Sequence, residues 1–100
     1  MNLLQNKTAI VTGGSRGIGK SIVLTLAQHG ANIVFTYLSS ENKALAVVEE
    51  AQKYGGKILA VKSDASKYKS CDLLINKVSQ QFTSIDILVN NAGITRDNLL

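Results

Sequence analysis

The eight residues Thr12-Gly13-Gly14-Ser15-Arg16-Gly17-Ile18-Gly19 stand between an apolar run, Ala9-Ile10-Val11, and a segment with helical periodicity. A strand that breaks into glycines and restarts as a helix presents backbone N–H groups to a phosphate. The helix dipole adds partial positive charge at the same point. Gly13, Gly17 and Gly19 are spaced so that the chain can turn tightly and its backbone can come close to a ligand. The chemistry implied is nucleotide binding. Two motifs compete for these residues. Gly14 to Ser21 fit G-x-x-x-x-G-K-S/T, the phosphate loop of nucleoside triphosphatases. The usual dinucleotide pattern, G-x-G-x-x-G, is not met, because Ile22 occupies the third glycine position. A glycine-rich turn without a ligand is the plain alternative.

Four short apolar runs must position this turn: Ala9 to Val11, Ile33 to Phe35, Ile58 to Val61 and Ile85 to Val89. They are nearly continuous and rich in β-branched residues, as parallel strands buried on both faces are. Three helical patterns lie between them. In the first, Ile18, Ile22 and Leu26 recur at i, i+4 and i+8, flanked by Val23 and Ala27, and the pattern stops at His29-Gly30. No chemistry is assigned to His29, which is expected at the surface. The second helix is expected to start at Ser39 or Ser40, to turn Ala44, Leu45, Val48 and Ala51 inward, and to end at Gly55-Gly56. The third follows Ser66 and aligns Cys71, Leu74, Ile75, Val78 and Phe82 on one face. Strand and helix alternate throughout, which predicts an α/β fold with a parallel sheet and right-handed crossovers. The expectation is a Rossmann-type doubly wound sheet, here its first four strands in the order 3-2-1-4 with three helices. In that arrangement the ligand crevice lies beyond the carboxyl ends of strands 1 and 4, where the order reverses. Two segments flank it: the glycine turn and Asn90-Asn91-Ala92-Gly93.

One hundred residues make one domain at most, and 45% hydrophobic with 18% charged residues describes a globular chain. No apolar run reaches the roughly 18 residues that span a bilayer, so no membrane role is expected. Cys71 has no second cysteine to pair with, and the first residues lack the apolar core of a signal peptide, so the expected compartment is the cytoplasm. The net charge of +4 is spread along the chain, without the basic runs or interleaved aromatics of a nucleic-acid groove. It suits an anionic ligand.

The glycine turn and Asn90-Asn91-Ala92-Gly93, in this order and at this separation, resemble the short-chain dehydrogenase/reductase family. Its cofactor loop reads T-G-x-x-x-G-I-G and its fourth strand ends in N-N-A-G. The resemblance implies that Gly13, Gly14, Ser15, Arg16, Gly17, Ile18 and Gly19 surround the adenosine and diphosphate of a nicotinamide cofactor. It implies that Asp64 accepts from the adenine amino group, with Ala65 beside the ring. Asn91, Ala92 and Gly93 would line the ribose and the path to the nicotinamide, while Asn90 ties strands together. The stretch Asp86 to Leu100, above all Ile94 to Leu100, is similar to family members that reduce 3-ketoacyl thioesters carried on acyl carrier protein in fatty-acid synthesis. Acetoacetyl-CoA reduction, or another alcohol/ketone couple, is the alternative within the family.

The choice between NAD and NADP follows from charge. NAD-specific folds place an acid at the end of strand 2 to bond the ribose 2′-OH. Here that region is Thr36-Tyr37-Leu38-Ser39-Ser40, and the first carboxylate is Glu41. Arg16 can pair with a 2′-phosphate and stack on adenine; Ser39 and Ser40 can donate hydroxyls to it or instead cap the second helix, and Tyr37 is counted with the cofactor-binding residues. The expected cofactor is NADP(H). Against the triphosphatase alternative, strand 4 ends in Asn90 and not in a Mg²⁺-binding acid, and strand 3 reaches Asp64 only through Lys62-Ser63.

The family's chemistry also needs a Tyr-x-x-x-Lys pair. The residues four places beyond Tyr37, Tyr54 and Tyr68 are Glu41, Ile58 and Asp72, so the pair is absent from these hundred residues and no catalytic residue is assigned. Residues 1–100 are therefore expected to be the N-terminal, cofactor-binding part of a single longer Rossmann domain, inactive alone, whose parent is a homotetramer as family members usually are. A non-catalytic nucleotide-binding module is the reading from another class.

Overall fold

In the computed structural model, residues 3–13, 17–62, 76, 78–80, 82 and 84–91 are described. Six elements are complete: β1 (Thr8–Thr12), α1 (Gly17–Gln28), β2 (Asn32–Tyr37), α2 (Glu41–Gln52), β3 (Ile58–Lys62) and β4 (Ile87–Asn90). A third helix is represented by Asn76 and residues 78–80. The four strands form one parallel sheet in the order β3-β2-β1-β4, as expected for a Rossmann-type doubly wound sheet. The chain leaves β1, builds outward through β2 and β3, then returns to the other side of β1. That reversal puts the ends of β1 and β4 side by side, with Thr12 opposite Asn90.

Alternation along the strands divides the core. Val11, Ile33, Phe35 and Ile58 pack under α1 and α2, which supply Val23, Ala27, Ala44, Val47 and Ala51. Ile10 and Val34 face the other way and meet Val78, with Leu59, Val61, Phe82 and Ile85 around them. All of β1 is buried. Each such Val, Ile or Phe removed from water contributes about 1.5–3 kcal/mol. On the second face Leu88 of β4 remains 61% exposed.

Both complete helices turn somewhat differently from the expected stripes. The buried row of α1 is Gly19, Val23 and Ala27, while Ile22 and Leu26 are half-buried and Ile18 is 70% exposed. Small residues take the innermost line because α1 lies close against the end of β1. In α2 the buried row is Ala44, Val47 and Ala51; Val48 is half-buried and Leu45 is 55% exposed. Ser40, not Ser39, holds the N-cap position, and its carbonyl accepts the Ala44 N–H without a side-chain cap bond. The end of α1 follows the sequence closely. Gly30 takes φ +90°, its N–H donates to Ala27 and the Ala31 N–H donates to Leu26, which is a Schellman closure. His29 is half-buried rather than on the surface, and its Nδ1 is buried without a hydrogen-bond partner among the described residues. In the third helix Val78 and Phe82 face the core as expected; Cys71, Leu74 and Ile75 lie outside the described residues.

β4 begins at Ile87, later than the apolar run suggests, because Asp86 ties it to β1. The Thr8 N–H donates to Asp86 Oδ2 at 2.9 Å, and the Asp86 N–H donates to the Thr8 carbonyl at 2.9 Å. The Thr8 N–H holds the Asp86 carboxyl below the usual aspartate value; desolvation opposes this, and the Ser84 hydroxyl and the Lys7 charge reinforce it. A carboxylate whose pKa falls on folding stabilises the fold above its unfolded value, near about 3.9, and loses that contribution as pH drops through the folded value. Asp86→Asn is accordingly expected to lower the urea midpoint at pH 7, with the gap from wild type narrowing at pH 3. A gap of constant size would contradict this role.

Candidate nucleotide-binding site

The carboxyl ends of β1, β2 and β4 converge on Gly13. This glycine follows Thr12 with φ +71°, a left-handed conformation that other residues adopt only at a cost of about 1–2 kcal/mol. Its N–H donates to the Thr36 Oγ1 of β2 at 2.9 Å. Its carbonyl accepts from the Asn91 Nδ2, just past β4, at 3.1 Å. Beside it the Thr12 hydroxyl points at the Asn90 Oδ1, 3.2 Å away, and at the Val89 carbonyl, 3.4 Å away. The first residue of the turn is thus fixed from both neighbouring strands, and Asn90 joins strands as the resemblance implies.

The next two glycines of the motif are required for different reasons. Gly17 opens α1 at φ +62°, and a Cβ there would meet nothing within 4 Å. Conformation alone demands it. At Gly19 a Cβ would drive into the Gly13 carbonyl oxygen and lie 2.7 Å from the Asn91 Nδ2. Space alone demands it. These contacts bring the start of α1 against the end of β1, so the N–H groups of the first helical turn open at the β1–β4 reversal. Those N–H groups have no acceptor within the helix. The first turn carries no acidic residue and includes Lys20, a suitable setting for an anion.

The other predicted positions fall as follows. Gly17 and Ile18 are exposed at the mouth of the turn, Tyr37 is half-buried at the end of β2, Ser39 is exposed and Ser40 half-buried before α2. Gly13, Gly17, Ile18, Gly19 and Asn91 are brought together at one end of the sheet. Gly14, Ser15, Arg16, Asp64, Ala65, Ala92 and Gly93 lie outside the described residues. Thr36 was not among the expected site residues, although its hydroxyl contacts the turn; in the sequence it registers only as a strand residue that is not an acid. An apolar groove of about 300 Å³ runs along the outer flank of α1, lined by Ile18, Ser21, Ile22, Thr25 and Leu26. Gly13, Thr36 and Asn91 do not line it; Ile18 is the one described site residue that does. Among the described residues no group of His, Cys, Asp and Glu could hold a metal ion, and no helix is long and apolar enough to cross a membrane.

Comparison with known proteins identifies the family of this chain. Residues 7–100 match the short chain dehydrogenase family model. The 3-oxoacyl-[acyl-carrier-protein] reductase of Staphylococcus epidermidis is 50% identical over 95 residues, which are 95% of this chain and 39% of that protein. The L-rhamnose 1-dehydrogenase (NADP(+)) of Thermoplasma acidophilum is 53% identical over 53 residues, 53% of this chain and 21% of that protein. Among solved structures, a short chain dehydrogenase from Burkholderia cenocepacia in complex with NADP superposes with a TM-score of 0.85 at 36% identity, covering 97% of this chain and 43% of that one. A short-chain dehydrogenase/reductase from Serratia marcescens gives a TM-score of 0.83 at 44% identity, covering 88% and 36%. The chain therefore spans well under half the length of these full relatives. It belongs to the short-chain dehydrogenase/reductase family.

Proposed function

We propose that residues 1–100 are the cofactor-binding part of an NADPH-dependent reductase that converts a 3-ketoacyl thioester on acyl carrier protein to the 3-hydroxyacyl thioester. The observation that carries the binding half of this reading is the joint at Gly13. The two peptide groups that flank Gly13 are tied to β2 and to the end of β4, and the second supports the helix start at Gly19. The cofactor would supply a hydride to the keto carbon. The residues of this chain bind and orient: Gly17, Ile18 and Gly19 offer backbone to the diphosphate, and Arg16 pairs with the 2′-phosphate. Tyr37, Ser39 and Ser40 flank that phosphate, Asp64 and Ala65 hold the adenine, and Asn91, Ala92 and Gly93 border the ribose.

NADP is supported by the NADP complex of the Burkholderia cenocepacia enzyme and by the lack of an acid between Thr36 and Ser40. The acyl-carrier-protein substrate is supported by the identity to the Staphylococcus epidermidis reductase. The match to the Thermoplasma acidophilum sugar dehydrogenase favours a second substrate class, a small hydroxyl compound that exchanges hydride with the same cofactor. Hydride transfer to a ketone also requires a proton at the developing alkoxide. The Tyr-x-x-x-Lys pair that the family uses does not occur in these hundred residues. In this reading the chain alone therefore binds cofactor without reducing substrate. The parent works as a cytoplasmic homotetramer.

A fluorescence titration tests the binding claim. NADPH emission is expected to rise and saturate on addition of the chain, and ATP with Mg²⁺ is not expected to displace it at equal concentration. Saturable Mg²⁺·ATP binding without an NADPH signal would replace this reading with a triphosphatase.

A further inference from the structure

We propose that Thr36 is the positioning residue of the glycine turn, and that the Gly13 N–H it captures is not one of the phosphate ligands. The inference rests on the nucleotide-binding reading above. Thr36 is 1% exposed and belongs to β2, yet its hydroxyl oxygen accepts a hydrogen bond from the segment that joins β1 to α1, 23 residues earlier. The bond crosses from one strand to the end of its neighbour, so it depends on the β1–β2 register, which pairs Val11 with Phe35.

Three consequences follow from the geometry. First, the Gly13 N–H is directed into the sheet end and occupied, although it stands at the head of a motif whose N–H groups are commonly credited with anion binding. Second, with its carbonyl held by Asn91, Gly13 has both peptide groups fixed, one by β2 and one by the segment after β4. The φ of +71° is thereby over-determined before any ligand arrives. Third, the Gly13 carbonyl is the surface against which Gly19 packs. A displacement of Gly13 therefore shifts the start of α1, and with it the N–H groups at Gly17, Ile18 and Gly19 that remain for the diphosphate. Thr36 acts on the ligand through Gly13 and the helix start. A preorganised turn avoids an ordering cost on binding, so loss of the hydroxyl lowers affinity without removing any ligand contact.

The test compares the wild-type chain with Thr36→Val, which keeps the side-chain volume and removes the acceptor, and Thr36→Ser, which keeps the acceptor and removes a methyl. NADPH is titrated by fluorescence, and exchange of the Gly13 amide is followed by NMR. Thr36→Val is expected to raise the NADPH Kd at least tenfold and to expose the Gly13 amide to exchange. Thr36→Ser is expected to stay within threefold of wild type with Gly13 protected. A purely structural role would instead lower the urea midpoint of both variants and leave affinity under native conditions unchanged. Should valine not fold, NADPH saturation of the wild type decides: the amides of Gly17, Ile18 and Gly19 shift strongly, and that of Gly13 stays protected and shifts little. A Thr36→Val chain that binds within twofold of wild type overturns the proposal, as does a Gly13 amide that shifts most on saturation. A wild type that binds no NADPH refutes the NADPH-binding reading and the role of Thr36 toward that ligand with it, while Gly13 exchange still reports whether the anchor exists.

Discussion

Gly19→Ala is expected to weaken NADPH binding by about a hundredfold and to destabilise the chain as well. The added methyl would meet the Gly13 carbonyl oxygen and the Asn91 amide, which are hydrogen-bonded to each other. The nearest obstacle, the Gly13 carbonyl, is backbone and cannot swing aside, so the helix start and the strand end must separate. Overpacking of this kind costs about 3 kcal/mol. If the displaced helix no longer offers its N–H groups in place, the same energy corresponds to about two decades in Kd. Gly17 provides the contrast. Its Cβ position is empty and only its positive φ is demanding, so Gly17→Asn is expected to hold stability within about 1 kcal/mol, since asparagine enters the left-handed region readily. Urea denaturation of both variants separates the two cases. Equal tolerance at both positions would mean that α1 does not seat on the end of β1 as described.

Arg16→Ala carries the second large effect. An arginine that pairs with the 2′-phosphate through charge-assisted bonds contributes about 1.5–3 kcal/mol. Its loss is expected to weaken NADPH by about ten- to a hundredfold and to leave NADH within about threefold. The end of β2 reinforces the expectation. Tyr37 is half-buried, Ser39 is exposed, and no carboxylate precedes Glu41, so no acid there repels the phosphate or accepts from the 2′-OH of NAD. Parallel titrations with the two cofactors measure it. Equal losses for both would remove Arg16 from the 2′-phosphate and return cofactor choice to the residues after β2.

Much of the framework was legible in the residues because it follows from local rules. The four β-branched runs are the four strands, Gly30 closes α1, and the alternation of elements makes the sheet parallel, in the Rossmann order β3-β2-β1-β4. The inner faces of the helices were less legible. Hydrophobicity points to Ile18, Ile22 and Leu26, but the closest approach to the sheet is made by the smallest residues. Gly19 and Ala27 share the buried row with Val23. A stripe drawn from apolar size misses a seam set by backbone proximity. The same holds for α2, where Leu45 turns outward and Val47 inward. Within the site, the glycine positions and Asn91 were legible as a motif, whereas the role of Thr36 was not. A threonine in a strand is ordinary. Only the register of β1 on β2 brings its hydroxyl to Gly13. Asp86 is similar: in sequence it interrupts an apolar run, and in the sheet it stands beside Thr8 immediately before β4 begins.

The nucleotide itself is best located by crystals of the chain soaked with NADP⁺ at saturating concentration, with a parallel soak in ATP and Mg²⁺. The expected density is a dinucleotide beyond the ends of β1 and β4, its diphosphate over the N–H groups of Gly17 to Gly19 and its 2′-phosphate against Arg16. A magnesium-bound triphosphate in that place, or an empty crevice in saturating NADP⁺, would contradict it.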